Sequence, residues 1–142
     1  MIISSYKIDR VKWDKCINQS PNSLIYSSVD YLDHLTDNWS AIIINDYEGV
    51  MPVAWRKKYG ITYSYDVPFI QQLGLFSMGM NIPLNEVSSA LFSMCRYGDY
   101  HFNFGNKVSG ANSRANFILP LTSKYEDIAN GFSNKVQTFL KF

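Results

Sequence analysis

The feature that most constrains the fold is the β-branched run Ala41-Ile42-Ile43-Ile44 near the first third of the chain. A short continuous apolar run of this kind is typical of a strand that is covered on both faces. The turn segment Asp46-Tyr47-Glu48-Gly49 follows it, and Val50 to Tyr59 is predicted to return as its hairpin partner. Pro52 lacks a backbone donor, so we expect it at an edge position or a bulge. The sequence therefore predicts a sheet that contains this antiparallel hairpin.

Helical and extended segments alternate around the hairpin. Helices are predicted after an Asp9 cap, after Ser27 with Asp30 in a capping-box pattern, from Leu84 to Gly98, and from Tyr125 to Leu140. Further strands are predicted at Met1 to Ile8, Ile61 to Leu73 with an interruption at Pro68, Tyr100 to Phe104, and Asn116 to Leu121. This order predicts an α/β (α+β) fold in which helices cover both faces of a mixed sheet.

Composition sets the class of protein. A chain of 142 residues with 46% hydrophobic and 18% charged residues is expected to form one globular domain, residues 1–142. The net charge is +1, and Arg56-Lys57-Lys58 is the one basic cluster, so nucleic-acid binding is disfavoured. Cys16 and Cys95 form no disulfide framework and no metal-binding spacing. Neither a signal-peptide pattern nor an apolar run of ~18 residues is present, so we expect a cytoplasmic protein without a membrane span or a metal.

The best functional candidate is the loop from Gln71 to Gly79. Its glycines would let backbone amides approach a ligand, and amides that precede a helix form an anion site. The spacing from Gly74 to Gly79 resembles a nucleotide P-loop, but Met80 and Asn81 stand where that motif has Lys and Ser/Thr, which excludes nucleoside-triphosphate binding. A plain turn between a strand and a helix, with glycines for geometry, explains the same residues. Both interpretations stay open.

No catalytic constellation accompanies the loop. His34 and His101 lack a nucleophile or carboxylate at motif spacing, so structural or surface roles are favoured for both. Cys95 lies on an apolar helical stripe and is expected to be buried and inert. The cluster Arg56-Lys57-Lys58 would suit an anion such as a phosphate or a tRNA backbone, but a solvated strand end that prevents edge pairing is the favoured explanation.

Three segments together resemble bacterial proteins of the GNAT superfamily, and more narrowly its Fem-type branch with two tandem GNAT-like halves. They are Asp46 to Pro52, Trp55 to Gly60, and Pro68 to Gly74, and the stretch from Ser113 to Leu121 with the following helix is similar to the end of the first half. The resemblance implies a mostly antiparallel central sheet of about six to seven strands flanked by helices on both faces. It also implies that the chain is one half of a two-domain protein, or a half that pairs with itself or with another chain.

The resemblance assigns a cofactor role to the loop. The family's acyl-CoA loop has the pattern Gln/Arg-x-x-Gly-x-Gly/Ala, which matches Gln71, Gln72, Leu73, Gly74, Leu75 and Phe76. The expected cofactor is acetyl-CoA or another acyl-CoA. Phe76 departs from the pattern, because it stands where a small residue admits the pyrophosphate.

Two functional hypotheses follow, and a third is independent of the resemblance. The first is an N-acyltransferase domain, the acceptor-side half, that transfers an acyl or aminoacyl group to an amine of a small molecule or peptide. Amides of Leu73 to Leu75 would polarise the carbonyl, and tRNA would be a partner in a Fem-type protein. The catalytic base is not assigned, and Tyr63, Tyr65 and His101 on neighbouring strands are only candidates. The second is a non-catalytic, degenerate binding or scaffolding module. The third is an unrelated small-ligand-binding domain, since fold does not fix function.

The final predicted helix bears large hydrophobic residues as far as Phe142. Three explanations remain open: a partner covers the helix, more chain follows it, or it packs on its own sheet. A second GNAT-like domain or a homodimer partner is the expected cover.

Overall fold

The computed structural model describes residues 1–79, 82–116 and 124–131. They belong to two compact units, Met1–Ala111 and Asn112–Phe142. The prediction that residues 1–142 form one domain stays a prediction.

The first unit is built from three helices and six strands within the described residues. The helices are α1 (Arg10–Gln19), α2 (Val29–Leu35) and α3 (Leu84–Met94). The strands are β1 (Ile2–Ser4), β2 (Trp39–Ile44), β3 (Gly49–Lys58), β4 (Ile61–Ser64), β5 (Phe76–Ser77) and β6 (Tyr97–Gly98). Single 3-10 turns precede α1 and α2, at Ser5–Lys7 and Ile25–Ser27. In the second unit, α4 (Tyr125–Asn130) is described.

The described strands form a six-stranded sheet in the order β1-β2-β3-β4-β6, and β5 also pairs with β3. The β4–β6 pair is parallel, whereas the other pairs are antiparallel. The predicted hairpin is confirmed as β2 and β3, whose register runs from Trp39 opposite Ala54 to Ile44 opposite Gly49. The fold is therefore a mixed, mostly antiparallel sheet with helices, in agreement with the predicted fold class at that level.

Both faces of the central hairpin are covered, because alternate residues along each strand enter different cores. On one face, Trp39, Ala41 and Ile43 pack with α1 and α2, where Trp13 and Leu32 are fully buried. On the other face the hairpin packs with α3, through Ile42, Met51, Val53, Val87, Leu91 and Cys95. The double burial predicted from the β-branched run is confirmed.

The helix starts differ in how well they were predicted. The predicted cap of α1 is confirmed, since the Asp9 carboxylate accepts a hydrogen bond from the Lys12 amide at 3.1 Å. For α2 the prediction was wrong by one residue. Ser28 is the cap and accepts from the Tyr31 amide at 3.4 Å, whereas Ser27 is buried in the preceding 3-10 turn.

The long strand predicted over Ile61 to Leu73 is wrong. The strand β4 ends at Ser64, and Leu73 forms an isolated parallel bridge with Phe102. A turn at Pro68 separates the two, closed by a hydrogen bond from the Ile70 amide to the Val67 carbonyl at 3.1 Å. The strand predicted from Tyr100 to Phe104 is reduced to the same bridge.

Other boundaries also shift. The first strand is β1, which ends at Ser4 in a 3-10 turn rather than at Ile8. The helix predicted to run to Gly98 ends at Met94, and Gly98 lies in β6. The strand predicted at Asn116 to Leu121 falls, after Asn116, outside the described residues, as does the final helix beyond Gly131.

The turn at Pro68 carries a strained residue. Phe69 has a φ of +67° and its side chain is 79% exposed. For a bulky residue this left-handed conformation is an outlier, whereas asparagine adopts it more readily. We expect Phe69→Asn to raise the free energy of unfolding by about 1 kcal/mol. Urea denaturation would measure the change, and a loss of stability would contradict it. Phe92→Asn, at an exposed position in helix α3, controls for the loss of an aromatic side chain.

Candidate functional site

The candidate site lies along β3, where its outer side has a gap between two partners. On the side away from β2, Gly49 and Val50 pair with β5, and Trp55 to Lys58 pair with β4. Residues 51–54 have no ladder partner on that side among the described strands. This gap is what separates β4 from β5.

Pro52 lies in the gap, where its lack of a backbone N–H leaves no donor unpaired at that position. It lies opposite Ala41 in the β2–β3 register. The Trp55 amide donates to the Asn38 carbonyl at 3.0 Å, so by alternation the backbone of Pro52 points away from β2. The predicted edge position is therefore correct in a local sense, because Pro52 faces the gap although β3 is an interior strand.

The hydroxyl of Tyr100 closes the gap. It donates to the Pro52 carbonyl at 2.7 Å and accepts from the Gly74 amide at 2.9 Å. Burial raises the pKa of the Tyr100 phenol above its ordinary value, so the hydroxyl stays protonated and can donate. One side chain thus connects the β3 backbone to the predicted cofactor loop.

The loop amides are used inside the protein. The Leu73 amide donates to the His101 carbonyl at 2.8 Å, and the Leu75 amide donates to Asn106 Oδ1 at 2.7 Å. With the Gly74–Tyr100 bond, the three amides predicted to polarise a carbonyl each have an internal acceptor. In this conformation they are not available to a ligand.

The side chains of Asn22, Asn103 and Asn106 form a hydrogen-bonded cluster against the loop. Asn22 Nδ2 donates to the Leu75 carbonyl and to Asn103 Oδ1, both at 2.9 Å. Asn106 Nδ2 donates to the same Leu75 carbonyl at 3.0 Å. Asn103 Oδ1 also accepts from the Gly105 amide at 2.9 Å, while Asn103 Nδ2 is buried without a hydrogen-bond partner among the described residues. Apart from a loop-forming composition, nothing in the amino-acid pattern indicates this cluster.

The other residues of the predicted cofactor loop, Gln71, Gln72 and Phe76, have three different environments. Gln71 is exposed, and Gln72 Oε1 accepts from the Phe104 amide at 3.1 Å. Phe76 is fully buried in β5 opposite Val50, as part of the core under α1. Strand β5 follows the loop and α3 begins only at Leu84, so the loop does not lead directly into a helix N-terminus. The cofactor assignment of Gln71 to Phe76 stays a prediction, and it now requires these amides to exchange partners.

A small cleft lies beside Tyr100. Its apolar lining includes Val67 and Ile70, and its polar lining is Tyr65, Asp66, Asp99 and His101. Its volume is about 20 Å³, room for about one water molecule. Two of the three proposed bases, Tyr65 and His101, thus come together, whereas Tyr63 lies in β4 opposite Arg56.

Within the cleft, His101 Nδ1 lies 3.4 Å from Asp66 Oδ1. A carboxylate beside an imidazole can orient the ring and stabilise its protonated form, the arrangement used by general bases. Sequence analysis missed Asp66, because it approaches His101 only through the parallel pairing of β4 with β6, and it did not single out Asp99, although Asp99 is close to His101 in sequence.

The other sequence candidates lie elsewhere. His34 is on α2, and Cys16 and Cys95 are buried, which raises the pKa of both thiols and disfavours the reactive thiolate. Arg56 hydrogen-bonds the Asp37 carboxylate and lies over the Tyr65 ring at 4.0 Å from its centroid. That engagement favours the structural explanation of the basic cluster.

Within residues 1–79, 82–116 and 124–131, no group of three or more His, Cys, Asp or Glu side chains is arranged to bind a metal ion. None of the helices in this part of the chain combines the length and the apolar character needed to cross a bilayer.

Comparison of the chain with protein-family models, with curated proteins and with solved structures finds no match.

Proposed function

We propose that this chain is a GNAT-like binding module that has no acyl-CoA site of its own, the non-catalytic alternative to an N-acyltransferase domain. One observation carries the proposal: the amides of Leu73, Gly74 and Leu75 each donate to an acceptor inside the protein. A pyrophosphate or a thioester carbonyl would have to displace the His101 carbonyl, the Tyr100 hydroxyl or the Asn106 amide.

Displacing these internal acceptors is expected to cost enough free energy to weaken ligand binding measurably. Each intramolecular hydrogen bond contributes about 0.5–1.5 kcal/mol, so freeing three amides costs roughly 3 kcal/mol. A cost of that size would weaken ligand binding by roughly a hundredfold. Phe76 adds to this barrier, because making room at its position removes a fully buried side chain from the core.

The architecture supports a GNAT-like domain without requiring the activity. The sheet is mixed and mostly antiparallel, it contains the parallel pair β4–β6, and helices cover two faces of its central hairpin. Leu73 in the loop forms a further parallel bridge with Phe102. A scaffold of this kind can present surfaces to a partner while its donor loop is closed. The second domain or homodimer partner at the C-terminal helix is part of the proposal.

Titration of the 142-residue chain with acetyl-CoA tests the proposal. We expect no saturable heat at concentrations up to about 1 mM, since an affinity weakened by displacement falls in or beyond the millimolar range. Saturable binding that weakens when exposed Gln71 is replaced by alanine would instead support the acyltransferase hypothesis. Phe76→Gly is a poor test, because it deletes core packing. Asn106→Ala is the better variant for opening the loop to a ligand, because it frees the Leu75 amide and leaves Phe76 in place.

N-acyl transfer is the second candidate, and the cleft beside Tyr100 favours it. The His101 imidazole, with the Asp66 carboxylate beside it, could accept a proton from an amine there, if the second half of a tandem protein supplied the acyl donor. In that case His101→Ala would lower the rate of acetyl transfer from a donor-binding partner domain without affecting acetyl-CoA binding.

A further inference from the structure

An open apolar groove runs along α2, which we name the α2 groove. Its floor is formed by Ile25, Tyr31, Leu35 and Phe69, and its rim by Ser28, Asp30 and His34. Its volume is about 500 Å³, and the side chains of Ile25 and Phe69 are 70% and 79% exposed. Large side chains this exposed bury little of their surface in the fold, so packing within the domain does not account for them.

A hydrogen bond from helix α2 holds the turn that exposes Phe69. The Tyr31 hydroxyl donates to the Phe69 carbonyl at 3.2 Å, which fixes the left-handed turn against α2. Residues held in such strained conformations occur at binding surfaces, where the surrounding structure maintains the strain. The strained turn therefore displays an aromatic ring to solvent beside three other apolar side chains.

The rim of the groove carries the Asp30 carboxylate, which makes one long ion-pair contact. The Asp30 side chain is 93% exposed, and Arg10 approaches it at 3.9 Å. The same guanidinium binds Asp33 at 2.7 Å, which is the closer and stronger contact. Asp30 is thus free to accept hydrogen bonds from a cation that enters the groove.

The hydrogen-bonding role of His34 is set by its partner. Its Nδ1 lies 2.6 Å from the Asp30 carbonyl, and a carbonyl oxygen can only accept, so Nδ1 carries the proton. In the neutral ring Nε2 is then an acceptor. The rim beside the apolar floor therefore presents two acceptors, the Asp30 carboxylate and His34 Nε2.

From this geometry we propose that the α2 groove docks a peptide segment of a partner protein that combines large apolar side chains with lysine or arginine. The apolar side chains cover Ile25, Leu35 and Phe69, and the cationic N–H groups donate to Asp30 and His34. A cation over the ring of Tyr31 or Phe69 would add a further attraction. The carboxylate at the rim selects this occupant over an anionic bilayer, which Asp30 would repel. This binding surface is separate from the closed loop and extends the proposed function.

The test uses the 142-residue chain and two blocked helical peptides, one of leucine and lysine and one of leucine and glutamate with the same spacing. Fluorescence anisotropy at low salt should show the lysine peptide binding about tenfold more tightly. Asp30→Lys should reverse that preference, whereas Glu126→Lys, a charge reversal at an exposed position in helix α4, should leave it intact. Equal affinity for both peptides, or no binding of either, would overturn the proposal.

A second pair of variants tests the apolar floor. Phe69→Asn should weaken binding of the lysine peptide by about tenfold or more, while Phe92→Asn, at an exposed phenylalanine on helix α3, should not. Since asparagine suits the backbone conformation at position 69, the variant should stay folded, which circular dichroism would verify. Two other results would assign the groove differently and overturn the proposal: a dimer that Phe69→Asn dissociates, or binding to anionic phospholipid vesicles that the same variant abolishes.

Discussion

Replacement of Tyr100 by phenylalanine is expected to lower the free energy of unfolding by about 2–4 kcal/mol, far more than the loss of one hydroxyl usually costs. The hydroxyl serves the Pro52 carbonyl and the Gly74 amide at once, and both groups are buried beside a gap in the sheet. Phenylalanine keeps the ring and removes both hydrogen bonds, which leaves a buried donor and a buried acceptor unsatisfied.

Chemical denaturation of Tyr100→Phe beside Tyr97→Phe would measure this effect. Tyr97 is 67% exposed, so its variant should change the stability by less than about 0.5 kcal/mol. If the two variants were equally stable, the Tyr100 hydroxyl would not close the gap, and the explanation for the occupied Gly74 amide would fail.

Gly74→Ala is expected to destabilise the protein by about 3–5 kcal/mol, for two reasons that add. Gly74 has a φ of +122°, which side-chain-bearing residues rarely adopt. An added Cβ would also overlap Asn106 Oδ1 and lie 3.0 Å from Asn103 Nδ2. Asn106 could move only by giving up its hydrogen bonds to the amide and carbonyl of Leu75.

Gly60→Ala is the matched control, measured in the same way. Gly60 has a φ of +83°, and nothing lies within 4 Å of its Cβ position, so only the backbone term of about 1 kcal/mol applies. Adding Asn106→Ala to Gly74→Ala should cost less than the two single changes combined, because the overlap is removed. Equal losses at the two glycines would contradict the crowding of the loop.

The elements of the fold that were predicted correctly are those whose sequence signal is local. The run Ala41 to Ile44 identified a doubly covered strand, and its hairpin partner followed from the turn at Gly49. Asp9 was recognised as a cap because a capping side chain and its amide are close in sequence. Each of these depends on residues a few positions apart.

The site could not be predicted in the same way, because its contacts join distant parts of the chain. Asn22 meets Asn103, and Tyr100 meets Pro52, through side chains that look like ordinary loop or sheet residues in sequence. Phe76 was placed in a ligand loop from its motif position, yet pairing with Val50 makes it a core residue. The long strand ending at Leu73 failed for a related reason: the chain turns at Pro68, and Leu73 then pairs through its backbone with the distant segment His101 to Asn103.

The closure between β3 and the loop has an evolutionary consequence. Peptide ladders tolerate most substitutions because every residue brings the same backbone groups, but this junction depends on the identity of one tyrosine. A related chain with an aliphatic residue at position 100 would lose the bridge, and water or a ligand would be needed to replace it. Variation at that position among relatives would therefore mark where closed and open forms of this loop diverge.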